Sequence, residues 1–167
     1  MKVLAIDVGG THVKILASDQ KVPQKFVSGP KMTAKQMAST VNKLTADWNY
    51  DAVAIGYPGP IVHSRILHEP YNLGSGWVKF DFGKAFGRPV KIINDAAMQA
   101  LGSYKGGSML FLGLGTGLGS AMVVDGKAEP MELGHLPYRK ATYEAYVGVG
   151  GLKRFGKKSG ASMLPMW

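Results

Sequence analysis

The chain has 167 residues, 46% of them hydrophobic and 19% charged, with a net charge of +9 and no cysteine. Lack of cysteine excludes disulfides and thiolate-ligated zinc. A chain near this length buries roughly two-thirds of its unfolded surface, enough for one domain or two small lobes, and the positive excess favours an anionic partner. The N-terminus enters a strand directly, without the basic and apolar stretches of a signal peptide. No apolar run approaches the roughly 20 residues needed to span a bilayer. A cytoplasmic protein with no membrane partner is expected.

Val3–Asp7 and Val13–Ser18 read as strands joined by a glycine turn, with Lys25–Val27 a third before Gly29-Pro30. Thr33 is placed to cap a helix running to about Trp48, in which Met37, Val41 and Leu44 recur at helical spacing. Ala52–Gly56 reads as a short buried strand ended by Tyr57-Pro58-Gly59-Pro60, and residues 61–88 read as irregular. Val90–Ile93 is another buried strand, followed by Asn94-Asp95 and a helix over Ala96–Tyr104. Lys105-Gly-Gly-Ser108 marks a boundary near residue 106, after which strand, glycine turn and strand repeat. Met109–Leu112 reads as buried, Ser120–Val124 pairs with it, and Asp125-Gly126 is a hairpin turn. Architecture repeats here, while sequence does not. The expected organisation is an N-terminal lobe over 1–106 and a partial C-terminal lobe over 107–167, with disorder confined to the last ten residues.

The two glycine turns are Asp7-Val-Gly-Gly-Thr-His-Val-Lys14 and Gly113-Leu-Gly-Thr-Gly-Leu-Gly119. Glycine lets backbone N–H groups approach an anion closely, and two such turns suggest phosphates gripped from both sides of a cleft. Asp7 is a candidate ligand for Mg²⁺, directly or through water, or else a turn residue. Thr11 could bond a phosphate. Lys14 could neutralise one or simply face solvent from its strand. Asp95, at the carboxyl end of a strand and the start of a helix, is either a helix cap or a ligand-binding residue. Asn94 beside it adds a second polar group, and together they suit a polyol whose hydroxyl Asp95 deprotonates. Glu132 and His135 stand three residues apart. Metal binding by His135 is rejected for want of partners, and Glu144 could be an ordinary helix residue. After residue 138, Arg139, Lys140, Lys153, Arg154, Lys157 and Lys158 stand against Glu144 alone. A solvated basic surface explains them equally well, and nucleic acid is disfavoured because only Tyr143, Tyr146 and Phe155 interleave with the charge.

Taken in order, Asp7–Lys14, Gly56-Tyr-Pro-Gly-Pro60, Asn72-Leu-Gly-Ser-Gly-Trp77, Asn94-Asp95-Ala96, Leu112–Ala121, Glu132-Leu-Gly-His135 and Glu144-Ala-Tyr-Val147 resemble the ROK family of sugar kinases, and its polyphosphate glucokinase branch in particular. The resemblance implies an α/β, actin-like ATPase (RNase H-like) two-lobe fold with mixed sheets, flanking helices and an incomplete second lobe. It implies a glucokinase moving a phosphoryl group from polyphosphate or ATP, with Mg²⁺, to the glucose 6-hydroxyl. Asp95 would be the base. Asn94, Glu132, His135 and Glu144 would bond the remaining hydroxyls, with Gly59 and Asn72 at the pocket edge. Asp7, Gly9, Gly10, Thr11 and Lys14 match the first phosphate motif, and Gly115, Thr116 and Gly117 the second. The interval Leu136–Tyr143 lacks the cysteine-rich zinc loop of many relatives, so no zinc is implied. A homodimer is compatible with the resemblance, and no nucleic acid is implied.

Family members continue with further elements and a late Gly-Gly motif, whereas Ser159–Trp167 does not resemble that continuation. The alternatives are a non-catalytic protein of this type that binds sugar or polyanion, and an RNase H-like nuclease holding two metals on Asp7 and Asp95. The nuclease leaves the second glycine turn and the Glu-x-Gly-His segment unexplained. A repressor of the family would need a DNA-binding segment ahead of the first strand.

Overall fold

The computed structural model describes residues 1–161, so residues 162–167 of the atypical end lie outside it. The chain divides into two compact units, Met1–Met98 and Gln99–Trp167. The division falls inside a helix, where the sequence reading places it just after, near 106.

In the first unit, β1 (Val3–Val8), β2 (His12–Ala17) and β3 (Gln24–Val27) form an antiparallel meander. Helix α1 (Ala34–Leu44) follows, then β4 (Ala52–Tyr57), the two-residue strands β5 (Ile61–Val62) and β6 (Arg65–Ile66), α2 (Phe82–Phe86) and β7 (Val90–Asn94). The sheet order is β3-β2-β1-β4-β7, with β1, β4 and β7 parallel. Leu4, Ile6, Val8, Val13, Ile15, Val53 and Ile55 on the strands, Met37 and Val41 on α1, and Tyr57, Trp77 and Phe82 form one buried cluster.

Thr33 caps α1 as expected, in a reciprocal box: its hydroxyl accepts from Gln36 N–H at 3.2 Å while Gln36 accepts from Thr33 N–H at 2.9 Å. The helix ends at Leu44 rather than Trp48. Thr45 N–H makes the last rung of the ladder, to the Val41 carbonyl at 2.9 Å, its hydroxyl donates to the same carbonyl at 2.9 Å, and its own backbone leaves the helical region at φ −107° and ψ 16°. The inward face is Ala34, Met37, Ala38 and Val41, continued by buried Thr45, so Leu44 is left exposed at its edge. The stretch 61–88 is less irregular than expected. It holds the β5–β6 hairpin and α2, which Asp81 caps at 2.8 Å from Lys84 N–H and Gly87 ends in the left-handed region at φ 61°.

Helix α3 (Asp95–Ser103) carries the division between units. In the second unit β8 (Ser108–Leu114), β9 (Leu118–Val124) and β10 (Lys127–Met131) form an antiparallel sheet in the order β10-β9-β8. Asp125 and Gly126 have φ of 50° and 76°, the two positive values that a type I′ hairpin turn requires. Strand β8 is not buried as expected: Leu110, Leu112 and Leu114 are 48%, 43% and 56% exposed. An unbroken apolar run suggested burial on both faces, whereas β8 is an edge strand whose other face, with Met109 and Phe111 beside Val123 and Ala121, is only half-buried. A single 3-10 turn over Leu133–His135 leads to the small hairpin of β11 (Pro137–Tyr138) and β12 (Ala141–Thr142). Then come α4 (Tyr143–Val147) and α5 (Val149–Ala161), the latter interrupted at Gly156. Among the described residues no helix is long and apolar enough to cross a membrane.

Candidate functional site

Three parallel strands of the first unit end at one edge. The register pairs Asp7 of β1 with Gly56 of β4, Gly56 with Ile93 of β7, and Tyr57 with Asn94. Carboxyl ends of parallel strands are where ligands bind in α/β sheets. Asp7, the Tyr57-Pro58-Gly59 corner and Asn94-Asp95 therefore share that edge. Close packing preserves the arrangement: a Cβ on Gly56 would stand 3.3 Å from Asp95 Cα, and one on Gly59 would stand 2.9 Å from the Tyr57 ring.

Of the two roles open to Asp95, the helix cap belongs to its neighbour. Asn94 Oδ1 accepts from Ala97 N–H at 3.1 Å, and Asp95 is the first helical residue, its Oδ1 accepting from Ala96 N–H at 2.8 Å. An anionic carboxylate in the first turn also interacts favourably with the helix dipole. The cap takes one of the two lone pairs on the Asn94 oxygen, so a sugar hydroxyl could meet its NH₂ or the second lone pair.

In the first glycine turn the Gly9 N–H closes the hairpin onto His12 O at 3.0 Å. Its N–H is thus spent on the turn rather than offered to a phosphate. The Gly10 and Thr11 N–H groups have no acceptor among the described residues. Successive unpaired N–H groups are suited to anion oxygens. Asn72 packs over the turn, its Cβ 3.0 Å from where a Gly10 Cβ would stand. Lys14 lies opposite Asp7 in the β1–β2 register, with its Nζ 3.8 Å from Asp7 Oδ2, and is 61% exposed. It neutralises Asp7 and still reaches solvent. A hydrated Mg²⁺ that also binds donor phosphates needs one or two protein carboxylates, and Asp7 fits that demand. Among the described residues no three His, Asp or Glu side chains are grouped to cage an ion.

Sequence reasoning missed two residues here. Ser28 binds the turn from beyond β3, its hydroxyl donating to Gly9 O at 2.7 Å and its N–H to Thr11 O at 3.0 Å. Glu69 holds the segment carrying Asn72, its two carboxylate oxygens accepting from Trp77 and Val78 N–H at 3.0 and 3.1 Å. Neither lies in a recognisable pattern. Burial, and then the charge of Glu69, push the Tyr57 phenol well above its ordinary value, while its hydroxyl donates to His68 O at 2.8 Å.

The second unit repeats the turn. Gly115 N–H closes it onto Gly117 O at 3.1 Å, and the Thr116 and Gly117 N–H groups have no acceptor among the described residues. Gly115 O accepts from Val149 N–H at 3.0 Å, and a Cβ on Gly148 would stand 2.7 Å from Thr116 O, so the turn packs against the α4–α5 junction. Glu132 and Glu144, which the family resemblance grouped with His135, lie beside its ring. Its Nδ1 lies 3.3 Å from Glu132 Oε2 and its Nε2 lies 3.7 Å from Glu144 Oε1. Glu144 also fills the space a Gly117 side chain would take. It is therefore a shared wall between the His135 cluster and the second glycine turn, not an ordinary helix residue. Hydroxyl-rich ligands suit such a row of acceptors flanking an imidazole.

The chain is 27% identical to the glucokinase of Pyrobaculum calidifontis over 98% of its own length and 59% of that protein. It is 26% identical to the polyphosphate glucokinase of Mycobacterium leprae over 78% of its length and 46% of that protein. It thus spans about half the length of these curated relatives. Among solved structures, the inorganic polyphosphate/ATP-glucomannokinase of Arthrobacter sp. strain KM matches with a TM-score of 0.75 at 28% identity, over 93% of this chain and 71% of that one. A ROK family glucokinase from Streptomyces griseus, solved with glucose and AMPPNP, matches with a TM-score of 0.74 over 98% of this chain and 62% of that one. At 21% identity the latter speaks to fold alone. The fold is the mixed α/β, actin-like ATPase fold of the ROK sugar kinases. The sequence matches the ROK family over residues 3–148, and the chain belongs to that family.

Proposed function

We propose that this chain carries the sugar- and phosphate-contacting part of a glucokinase, which transfers a phosphoryl group from polyphosphate and/or ATP to the 6-hydroxyl of glucose. Asp95 takes the hydroxyl proton as the oxygen bonds to the terminal phosphorus, and the bond from that phosphorus to the rest of the donor breaks. The NH₂ of Asn94, together with Glu132, His135 and Glu144, bonds the other hydroxyls, with Gly59 and Asn72 bounding the sugar. Gly10, Thr11, Thr116 and Gly117 donate N–H groups to donor phosphates, and Gly9 and Gly115 shape their turns. Mg²⁺, when bound near Asp7, offsets phosphate charge, and Lys14 adds to that effect. A cytoplasmic setting belongs to the same reading.

The observation that carries it is the shared edge of β1, β4 and β7. It brings a candidate base, Asp95, to the same strand ends as a phosphate-suited turn. Support also comes from the kinase names of the relatives. The test is glucose-6-phosphate formation with ATP and polyphosphate measured in parallel. Turnover with either donor is expected, and Asp95→Asn should lower kcat by about 10²–10⁴-fold, the usual contribution of a general base. No product with either donor overturns the activity. Calorimetric glucose binding without product would leave a sugar-binding protein.

A further inference from the structure

The two larger sheets have four outer strands, β3 and β7 in the first unit and β8 and β10 in the second. Edge strands present unpaired N–H and C=O groups, and proteins commonly guard them with charge, proline or short length. Strand β3 has four residues and carries Lys25, and β7 carries Lys91. Strand β10 carries Lys127, Glu129 and Pro130. Strand β8, Ser108-Met-Leu-Phe-Leu-Gly-Leu114, is the longest of the four and holds neither charge nor proline. Its outer edge is unguarded.

Backbone and side chains of β8 fall into step. Residues of an antiparallel strand alternate between those that exchange bonds with the partner strand and those that do not. Beyond one end of the β8–β9 pairing Asp125 N–H bonds to Gly107 O, and beyond the other Gly115 N–H bonds to Gly117 O. Odd-numbered residues of β8 therefore bond inward to β9. Ser108, Leu110, Leu112 and Leu114 turn their N–H and C=O groups to the free edge. Side chains alternate with the same period of two, so these three leucines are also the exposed row on one face.

We propose that β8 pairs with β8 of a second copy of this chain, antiparallel across a two-fold axis through Leu112. Leu112 then lies opposite Leu112 of the partner subunit, and Leu110 lies opposite Leu114 of the partner subunit. Each is a hydrogen-bonded pair that exchanges two N–H···O bonds, and opposite side chains share a face. The two leucine rows thus join, and two three-stranded sheets become one of six strands. A slip by two residues keeps the bonding pattern but sets a leucine against Ser108 or Thr116, so this register buries the most apolar surface. A two-fold interface must be self-complementary. Another polypeptide could offer any uncharged strand, whereas the match of centre, bonding and face belongs to β8 paired with itself. The net charge of +9 opposes association at long range, so salt should tighten this pairing rather than loosen it. Seven residues a side is less than the 20–30 of a standard interface, so dissociation on the order of 10–100 µM is expected. The pairing rests on the edge strand alone and not on the kinase reading.

Sedimentation equilibrium of the full chain across that concentration range tests it, at low and at high salt. A reversible monomer–dimer equilibrium is expected, tighter at high salt. Leu112→Lys sets like charges opposite each other on the axis and should weaken the dimer about tenfold or more. Leu112 is exposed in the single copy, so the Tm of dilute protein should hardly change. Val27→Lys, the same change at an exposed position of the β3 edge, should leave the dimer as it is. The chain has no cysteine, so introduced ones report the register. Leu112→Cys should oxidise to a disulfide-linked dimer, because Cα atoms of such a pair stand about 5.5 Å apart. Leu110→Cys should link to Leu114→Cys in a mixture of the two and not to itself, from which it stands four residues, or about 14 Å, away. A monomer at every concentration would leave the edge to a strand of some other polypeptide and overturn the proposal. A dimer that Leu112→Lys forms as tightly as wild type, one that salt weakens, or self-linking of Leu110→Cys as ready as that of Leu112→Cys would each overturn it too.

Discussion

The first glycine turn joins strands on which Leu4, Ile6, Val8, Val13 and Ile15 are fully buried, whereas the second joins strands on which, among the described residues, Ser120, Ala121 and Val123 alone are buried. Both turns spend the N–H of one glycine on closure and leave the next two N–H groups without an acceptor among the described residues. The same local device is thus set in a thick core in one unit and on a thin sheet in the other. In the first, glycine is required by backbone packing. In the second, Gly117 is required by a side chain, Glu144. The lesson is that one motif can be constrained for stability in one place and for ligand geometry in another.

The largest expected effect concerns the chemistry proposed for Asp95 in the first unit. Loss of the Asp95 carboxylate should reduce kcat by orders of magnitude while leaving glucose affinity within a few-fold, as measured by calorimetry. Equal loss of binding and rate would move Asp95 from chemistry to recognition and break the division of labour.

Gly9 and Gly115 sharpen the contrast next. A Cβ on Gly9 would stand 2.8 Å from His12 O, a backbone atom that cannot swing away, whereas one on Gly115 meets nothing within 4 Å. Gly9→Ala should cost about 1–3 kcal/mol by overpacking, and lower Tm by several degrees. Gly115→Ala should stay within about 0.5 kcal/mol. Denaturant midpoints for the two variants check this. Similar losses from both would show that the second turn is as tightly supported as the first.

Gly117→Ala should act on function instead. Its methyl group would displace the end of the Glu144 side chain, which is flexible, so Tm should hardly change. Glu144 would lose its place beside His135, and KM for glucose should rise about tenfold, or ~1.4 kcal/mol, with kcat nearly unchanged. A drop in Tm with no change in KM would reassign Glu144 to structure.

Much of this was legible in the residues and some was not. The strands β1 and β2, the Thr33 cap and the Asp125-Gly126 hairpin turn are local, and their chemistry can be read over a few residues. The buried character of β8 was misread because apolar runs report propensity and not what covers a face. The pairing of His135 with Glu144 came from the family resemblance and not from spacing, because Glu144 reaches it from a different element, nine positions on, through tertiary packing. Ser28 and Glu69 likewise act on residues eight or more positions away. The polar groups that hold a site in place are therefore the least readable part of it.

The smallest effect probes the thick core through its one buried phenol. Tyr57 is fully buried, and burial raises its ionisation above the ordinary value near 10. The folded state thus keeps the phenol neutral where the unfolded state would ionise it. The stability that follows is intact below about pH 10 and is lost as pH rises above the unfolded value, because the unfolded chain then binds fewer protons. Tyr57→Phe removes that linkage together with the hydrogen bond to His68 O, so it should cost about 1 kcal/mol at pH 7. Between about pH 9 and 11 its Tm should fall less steeply than that of the wild type. The second unit has no fully buried tyrosine among its described residues, so hydrogen exchange should place the alkaline loss in β1, β4 and the Trp77 cluster before β8 and β9. Parallel alkaline slopes for the two proteins, or loss beginning in β8 and β9, would show that the first unit is not where the chain meets high pH.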